Sequence, residues 1–304
     1  MSEGSSDLEK PSLLSAWILA IRPKTLSAAA APVLVGTGFA AGRGVFLVLP
    51  AIAALVGALL IQITTNLAND YYDFVRGGDT AERVGPVRVT QAGLIHPAAV
   101  RNGMFVTLGL ALAVGVYLVW IGGWPIVVIG LASLLCAVAY TGGPFPLAYH
   151  GLGDVFVFAF FGLVAVGGTY WVQALDFPAD LLLAGAGVGA LNTAILVANN
   201  LRDIESDAAV GKRTLAVRIG RTGSRVQYVA LVAGAFVVPL LGVALAGWPR
   251  TSLLALASGV YAVAPMSRIM TTDEPSELIP ALGGTARLVA AYGALLALGL
   301  ALGA

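Results

Sequence analysis

Two groups of carboxylates close long apolar runs of this chain, where acids are least easily tolerated. The first is Asn66-Leu67-Ala68-Asn69-Asp70-Tyr71-Tyr72-Asp73, the second Asn199-Asn200-Leu201-Arg202-Asp203-Ile204-Glu205-Ser206-Asp207. A carboxylate at the end of an apolar span is costly unless it is paired, faces water or has work to do. Grouped carboxylates also repel one another, and a hard divalent cation relieves that repulsion. Mg²⁺ takes one or two carboxylates and fills the rest of its octahedral shell with water and substrate phosphates. Two such clusters therefore suit two Mg²⁺ ions bridging a diphosphate. A solvated helix end, or an Asp203–Arg202 pair, explains one cluster alone; the recurrence favours the metal reading.

Spacing supports a shared face. On a helix Asn66, Asn69, Asp70 and Asp73 follow i, i+3, i+4, i+7, and Asn200, Asp203 and Asp207 follow i, i+3, i+7. The nearby cations Arg76, Arg83, Arg88, Lys212 and Arg213 are suited to the remaining phosphate charge, the arginines in bidentate fashion. Taken singly, each is equally explained as a signal of membrane topology. Tyr71 and Tyr72 fit an interfacial position, and His96, before Pro97, fits a solvated loop.

The elements that position these residues are membrane helices. Of 304 residues 58% are apolar and only 11% charged, and the mean hydropathy is +0.89, far from soluble norms of about a quarter charged. The net charge of +1 offers no attraction to nucleic acid. Apolar stretches of about 20 residues, enough to cross hydrocarbon, run at roughly 24–41, 45–66, 102–121, 124–140, 153–174, 180–200, 226–247, 250–268 and 285–303. The expected fold is all-α: a polytopic membrane protein with nine transmembrane helices in one bundle and a central cavity opening to the cytoplasmic side. Residues 1–12, polar and without the basic start of a signal peptide, are expected as a disordered cytoplasmic tail before a single domain, 13–304. The stretch Leu13–Ile21 is too short to span and suits the interface.

Positive charge tests this count, because Lys and Arg are retained on the cytoplasmic side. With a cytoplasmic amino terminus, 15 of the 17 Lys and Arg fall on that side and only Arg43 and Arg250 do not. Both acidic clusters then face the cytoplasm of a cell-membrane protein. Asp70 and Asp203 end spans four helices apart, a weak parallel repeat. The single Cys136 lies in an apolar run as a small buried hydrophobe, and the 38 glycines fit close helix packing in lipid. No GxxxxGK[ST], HExxH or GxSxG pattern occurs, which removes the usual support for nucleotide hydrolysis, zinc proteolysis and serine hydrolysis.

The segment Asn69-Asp70-Tyr71-Tyr72-Asp73, the run Asp203-Ile204-Glu205-Ser206-Asp207 with its continuation Gly211-Lys212-Arg213-Thr214, and nine spans resemble the UbiA-type intramembrane aromatic prenyltransferases over residues 17–299. Three further segments resemble the menaquinone branch, the 1,4-dihydroxy-2-naphthoate prenyltransferases. They are Arg22-Pro23-Lys24-Thr25-Leu26; Gly77-Gly78-Asp79 with Gly85-Pro86-Val87-Arg88; and Tyr140-Thr141-Gly142-Gly143-Pro144 with Tyr149-His150-Gly151-Leu152-Gly153-Asp154. The family's first motif has a third carboxylate where this chain has Gly77, and Asp79 is the next acid.

The resemblance implies a metal set of Asn69, Asp70, Asp73, Asp79, Asp203 and Asp207, with Asn66, Asn200, Tyr140 and Tyr149 beside the substrates. It implies transfer of a polyprenyl group from its diphosphate to 1,4-dihydroxy-2-naphthoate. Mg²⁺ draws charge from the diphosphate, the allylic bond weakens toward a carbocation, the ring attacks through its carboxylate-bearing carbon, and CO₂ is lost to give demethylmenaquinol. Arg22, Lys24 and His150 are candidates to host the acceptor carboxylate. Asp154 is a candidate to orient an aromatic hydroxyl or to cap its helix. The alternatives are another aromatic acceptor and, in a different class, a cation- or proton-coupled transporter, whose acids would lie nearer the bilayer midplane. CDP-alcohol phosphotransferases and chain-elongating prenyl synthases need Asp-Gly and Asp-Asp-x-x-Asp motifs that this chain lacks.

Overall fold

The computed structural model describes residues 11–77, 85, 87–140, 142 and 144–303, and every regular element among them is helical. In order these are α1 (Leu13–Ile21), α2 (Pro23–Gly42), α3 (Val48–Val75), α4 (Pro97–Gly122), α5 (Trp124–Ala139), α6 (Gly153–Phe158), α7 (Ala165–Ala174), α8 (Leu181–Arg202), α9 (Ile204–Ala209), α10 (Leu215–Leu245), α11 (Val260–Thr271) and α12 (Pro275–Ala301). A π-helical stretch, Ala159–Val164, joins α6 to α7, and a 3₁₀ stretch, Arg250–Gly259, leads into α11. Among the described residues eight rods, counting Gly153–Ala174 and Arg250–Thr271 as one each, are long and apolar enough to cross a membrane. The remaining expected span, α5, has 16 residues, about 24 Å at 1.5 Å per residue.

Sequential rods alternate in direction. At one end Arg43, after α2, binds Asp180, before α8, at 2.9 Å, and Trp248, after α10, donates to Asp180 at 2.9 Å. Trp171 near the end of α7 donates to the Gly122 carbonyl at the end of α4. The opposite end holds both acidic clusters. Helix α5 starts beside Gly122 and finishes before Tyr140, which lies within Coulombic reach of Asp73, Asp154 and Asp207. It therefore connects the two ends although it is short.

The most buried rod is α8, with 72% of its most apolar stretch covered. A β-carbon on Gly162 would lie 2.6 Å from the Gly185 carbonyl, and one on Gly189 2.7 Å from the Phe158 carbonyl. Glycine thus brings the α6–α7 rod against α8 backbone to backbone. Large apolar side chains such as Leu135, Val226 and Leu245 are left exposed, as lipid-facing positions require, and Trp120 and Trp124 stand outward near one rim. Short α1 buries Ala16 and Ala20 in a cluster with Leu67, Ala68 and Met104 while Leu13, Leu14 and Ile18 face outward. That is the pattern of an interfacial helix.

Two expected boundaries need correction. The span drawn at 45–66 continues to Val75, so the whole first motif lies inside α3 and its shared face is real. The second motif is not one helix. Asp203, at φ −98° and ψ 12°, ends α8 and starts α9, so the helical-face argument for Asn200, Asp203 and Asp207 fails there. The Arg202 guanidinium grips Asp203 at this break.

Candidate active site

The motif end holds a cavity of about 580 Å³, lined by Asn69, Asp73 and Arg88 from one side and Asn200, Arg202 and Lys212 from the other. Arg22, Lys24, Tyr140 and Asp154 complete its polar wall. Behind it lies a second, largely apolar chamber of about 480 Å³ between α2, α3, α4, α5 and the α6–α7 rod. Gln62, Asn69, Tyr140, Val157 and Phe161 line both. The two acidic motifs thus share one vestibule, with a greasy compartment directly behind it.

The carboxylates are held in different ways. Asp73 meets Arg88 at 2.8 Å, and Asp207 meets Lys212 at 3.1 Å. Asp203 receives Arg202 through Nε at 2.7 Å and Nη2 at 2.5 Å, and Arg202 also donates to Asn199. Burial pushes the Asp207 carboxyl above the usual carboxylate range; Lys212 opposes the shift, and the charges of Asp203 and Asp73 add to it. Carboxylates from both motifs therefore feel one another. The second oxygen of Asp207 is buried with no hydrogen-bond partner among the described residues.

Such a donor set fits a hard divalent cation: oxygen ligands, mutual repulsion and a carboxylate oxygen still to be satisfied. Among the described residues no three His, Cys, Asp or Glu form a ready-made cage. A cation here would draw its remaining ligands from water and phosphate, as Mg²⁺ prefers. Of the motif carboxylates Asp73 lines the cavity, and Asp207, which does not line it, lies within electrostatic reach of Asp73.

Asp70, expected beside Asp73 at the metal, does something else. It is 1% exposed and lines neither cavity. Its two oxygens accept the backbone N–H groups of Val89 (3.1 Å) and Thr90 (3.0 Å), with Arg22 at 3.9 Å. It latches the segment that carries Arg88 to Asp73. Asp70→Ala should therefore free two buried donors, cost about 1–3 kcal/mol, and lower prenyl-diphosphate affinity along with stability. Diphosphate titration and thermal unfolding of the purified variant check this, and unchanged values of both would refute the latch.

Asn66, expected beside substrate, donates to the Ile21 carbonyl (2.8 Å) and to Thr25 (3.0 Å). It fixes the α1–α2 elbow, where Arg22 adopts a left-handed φ of 55°, a conformation costing about 1 kcal/mol for a side-chain residue. That elbow aims Arg22 and Lys24 into the cavity wall. His150 is corrected as a carboxylate host: its ring stacks on Phe145 at 3.6 Å, its Nδ1 contacts the Pro146 carbonyl at 2.9 Å, and it does not line the cavity. Tyr149 lies beneath the cations of Arg76 and Lys212, at 5.6 and 5.8 Å, and its carbonyl accepts from Arg213 N. A β-carbon on Gly153 would lie 2.9 Å from the Tyr140 hydroxyl, so glycine there leaves Tyr140 its place in the wall. Asp154 is no cap, since Leu152 holds that position. Asp79 and Arg83 lie outside the described residues.

Sequence reasoning missed Arg202 as a cavity residue and weighed it only as a partner for Asp203. Its side chain is fully buried, the residue borders the vestibule, and Nη1 is without a partner among the described residues. An arginine in the last turn of so apolar a helix was the available signal. Gln62 and Asn192, lone polar residues within apolar spans, were missed as well.

Known proteins resemble the chain over most of its length. The chain is 40% identical over 228 residues to the 1,4-dihydroxy-2-naphthoate octaprenyltransferase of Escherichia coli (strain K12), covering 73% of this chain and 74% of that protein. To the protein of the same description from Mycobacterium tuberculosis it is 38% identical over 269 residues, 88% of this chain and 91% of that one. In fold it resembles the UbiA homolog from Archaeoglobus fulgidus bound to DMAPP and Mg²⁺, with a TM-score of 0.64, 15% identity, and coverage of 92% of this chain and 98% of that one. The family described as the UbiA prenyltransferase family matches residues 29–288, a stretch that takes in both acidic motifs. An integral membrane protein built this way, and matched over this length, belongs to the UbiA prenyltransferase family.

Proposed function

We propose that the protein transfers a polyprenyl group from an allylic polyprenyl diphosphate to 1,4-dihydroxy-2-naphthoate, releasing diphosphate and CO₂ and forming demethylmenaquinol for menaquinone synthesis. The observation that carries the reading is the shared vestibule. Asp73 and Arg202, from the two motifs, line one polar cavity that shares lining residues with an apolar chamber, and the naphthoate enzymes are relatives over most of the chain.

The diphosphate belongs among Arg88, Arg202 and Lys212, with its tail in the chamber beyond Gln62 and Asn69. Mg²⁺, held by Asp73 and Asp207 with Asn69 and Asp203 nearby, would supply positive charge for the departing diphosphate; two ions suit the two motifs. As the allylic carbon–oxygen bond breaks, its electron pair goes to the diphosphate, and the cations of the vestibule stabilise the charge that appears. The ring carbon bearing the carboxylate forms the new bond. Loss of CO₂ returns an electron pair to the ring, so no net proton is released. Arg22 and Lys24, on the same wall, are placed to hold the acceptor carboxylate. The distribution of Lys and Arg supports a cytoplasmic position, at the cell membrane, for this end of the bundle and for the amino terminus.

Purified protein in detergent, given a polyprenyl diphosphate and the naphthoate, should form prenylated, decarboxylated product and one diphosphate per turnover. EDTA should abolish both and added Mg²⁺ restore them. Absence of diphosphate release under every condition would refute the reading and favour a transporter; preferential use of 4-hydroxybenzoate would refute the acceptor.

A further inference from the structure

Three residues that line the vestibule each hold a buried acceptor oxygen with no donor among the described residues. The oxygens are Gln62 Oε1, Asn192 Oδ1 and Asp154 Oδ2. Their residues are only 7%, 3% and 7% exposed and all line the same cavity. Unsatisfied acceptors at such depth cost about 1–3 kcal/mol each, and three in one wall call for an explanation.

The hydrogen-bond network determines that these atoms are acceptors. Asn192 Nδ2 donates to the carbonyls of Ala28 (3.1 Å) and Phe161 (3.0 Å). Two carbonyl partners admit only the amide NH₂ on that side, so the oxygen lies on the other. Asn66 is oriented likewise by donating to the Ile21 carbonyl, which leaves its Oδ1 to accept from Gln62 Nε2 at 3.2 Å. Gln62 Oε1 is then the unused atom. Asp154 Oδ1 accepts from Gln227 Nε2 at 2.9 Å, leaving Oδ2. At these three residues the hydrogen-bond network leaves acceptors over, so a group that meets them must bring O–H or N–H.

The geometry points to a hydroxyl-binding subsite, in which Asp154, Gln62 and Asn192 accept hydrogen bonds from the ring hydroxyls of a dihydroxyarene acceptor. It rests on the transfer reading for its ligand class. A diphosphate or a prenyl tail offers no donors, whereas a ring with two hydroxyls offers two. The same cavity is lined by Arg22 and Lys24, which match a carboxylate on the same ring. Asp154 is the charged member, and a hydroxyl donating to a carboxylate becomes more electron-rich at the ring, favouring attack on the allylic carbon. The hydroxyl proton stays shared along that bond and returns to the product oxygen, so the balance of the transfer is unchanged.

The test uses the full-length protein in detergent, without metal or diphosphate, and measures binding of 1,4-dihydroxy-2-naphthoate and of its 4-O-methyl ether by calorimetry. Asp154→Asn keeps the Gln227 contact and puts an NH₂ where the acceptor was; Gln62→Met removes the acceptor in a similar volume and serves if the first variant does not fold. Wild type should bind the diol about tenfold or more tighter than the ether, and each variant should lose about ten- to a hundredfold for the diol with little change for the ether. Kinetically, the acceptor KM should rise while the diphosphate KM stays within about twofold. Equal binding of diol and ether by wild type, an undiminished diol affinity in the variants, or equal losses for both ligands would each overturn the subsite. Failure of the functional reading looks different: selective diol binding would persist while no prenyl diphosphate is consumed.

Discussion

Asp73→Asn should lower prenyl transfer by about a thousandfold, the scale seen when a group that stabilises transition-state charge is removed, while the protein remains folded. Asp73 lies on the vestibule wall and pairs with Arg88 at 2.8 Å, both side chains keeping about a tenth of their surface exposed. The amide retains an acceptor for Arg88, so the stability cost is that of weakening one charged hydrogen bond, about 1–3 kcal/mol. Turnover suffers far more, because the substitution halves the carboxylate charge that Asp73 and Asp207 together offer a divalent cation. Steady-state kinetics over a wide Mg²⁺ range, with thermal unfolding in parallel, separates the two effects. High Mg²⁺ should recover part of the lost rate, and Asp73→Glu should recover more. A variant within tenfold of wild type at ordinary Mg²⁺ would remove Asp73 from the cation site.

Asp73 was legible from the sequence, and the reason is geometric. The first motif lies wholly within α3, so helical spacing placed Asn69 and Asp73 on one face and the structure put that face on the cavity. The same spacing misplaced Asp70. A face is wider than a site, and the backbone N–H groups of Val89 and Thr90, distant in sequence, claim Asp70 first. The second motif defied the rule because its helix breaks at Asp203, a break tied to the Arg202–Asp203 clasp that no periodicity reports.

The spans were legible because lipid imposes a length on apolar runs, and their ends were not, since polar termini such as the last turns of α3 extend past the apolar stretch. Gln62 and Asn192 escaped notice for a different reason. A single amide in an apolar helix carries no pattern; only its partners reveal which of its atoms is spent and which remains for a ligand.

Arg202→Met should produce the largest loss of stability at the site, about 3–5 kcal/mol, as expected when one member of a buried ion pair is removed. The Arg202 side chain is fully buried and that of Asp203 nearly so, so the substitution takes from a buried carboxylate the guanidinium that meets both its oxygens at the turn between α8 and α9. The buried charge that loses this partner, more than the lost attraction, sets the size of the effect. Removing it as well, in Arg202→Met/Asp203→Leu, should therefore recover much of the lost stability, since an apolar pair of similar volume tolerates the same surroundings. Activity should not return with it. Arg202 lines the vestibule and keeps Nη1 unpartnered among the described residues, so both variants lack a cation for the diphosphate. Thermal unfolding in detergent and diphosphate KM, measured on the single and double variants, distinguish the two roles. A single variant that melts with wild type would mean the clasp is not structural, and a double variant with normal diphosphate KM would mean Arg202 never meets the substrate. A stable double variant that no longer binds the diphosphate is the outcome that assigns Arg202 both tasks, and it accounts for an arginine being kept at the end of a helix as apolar as α8.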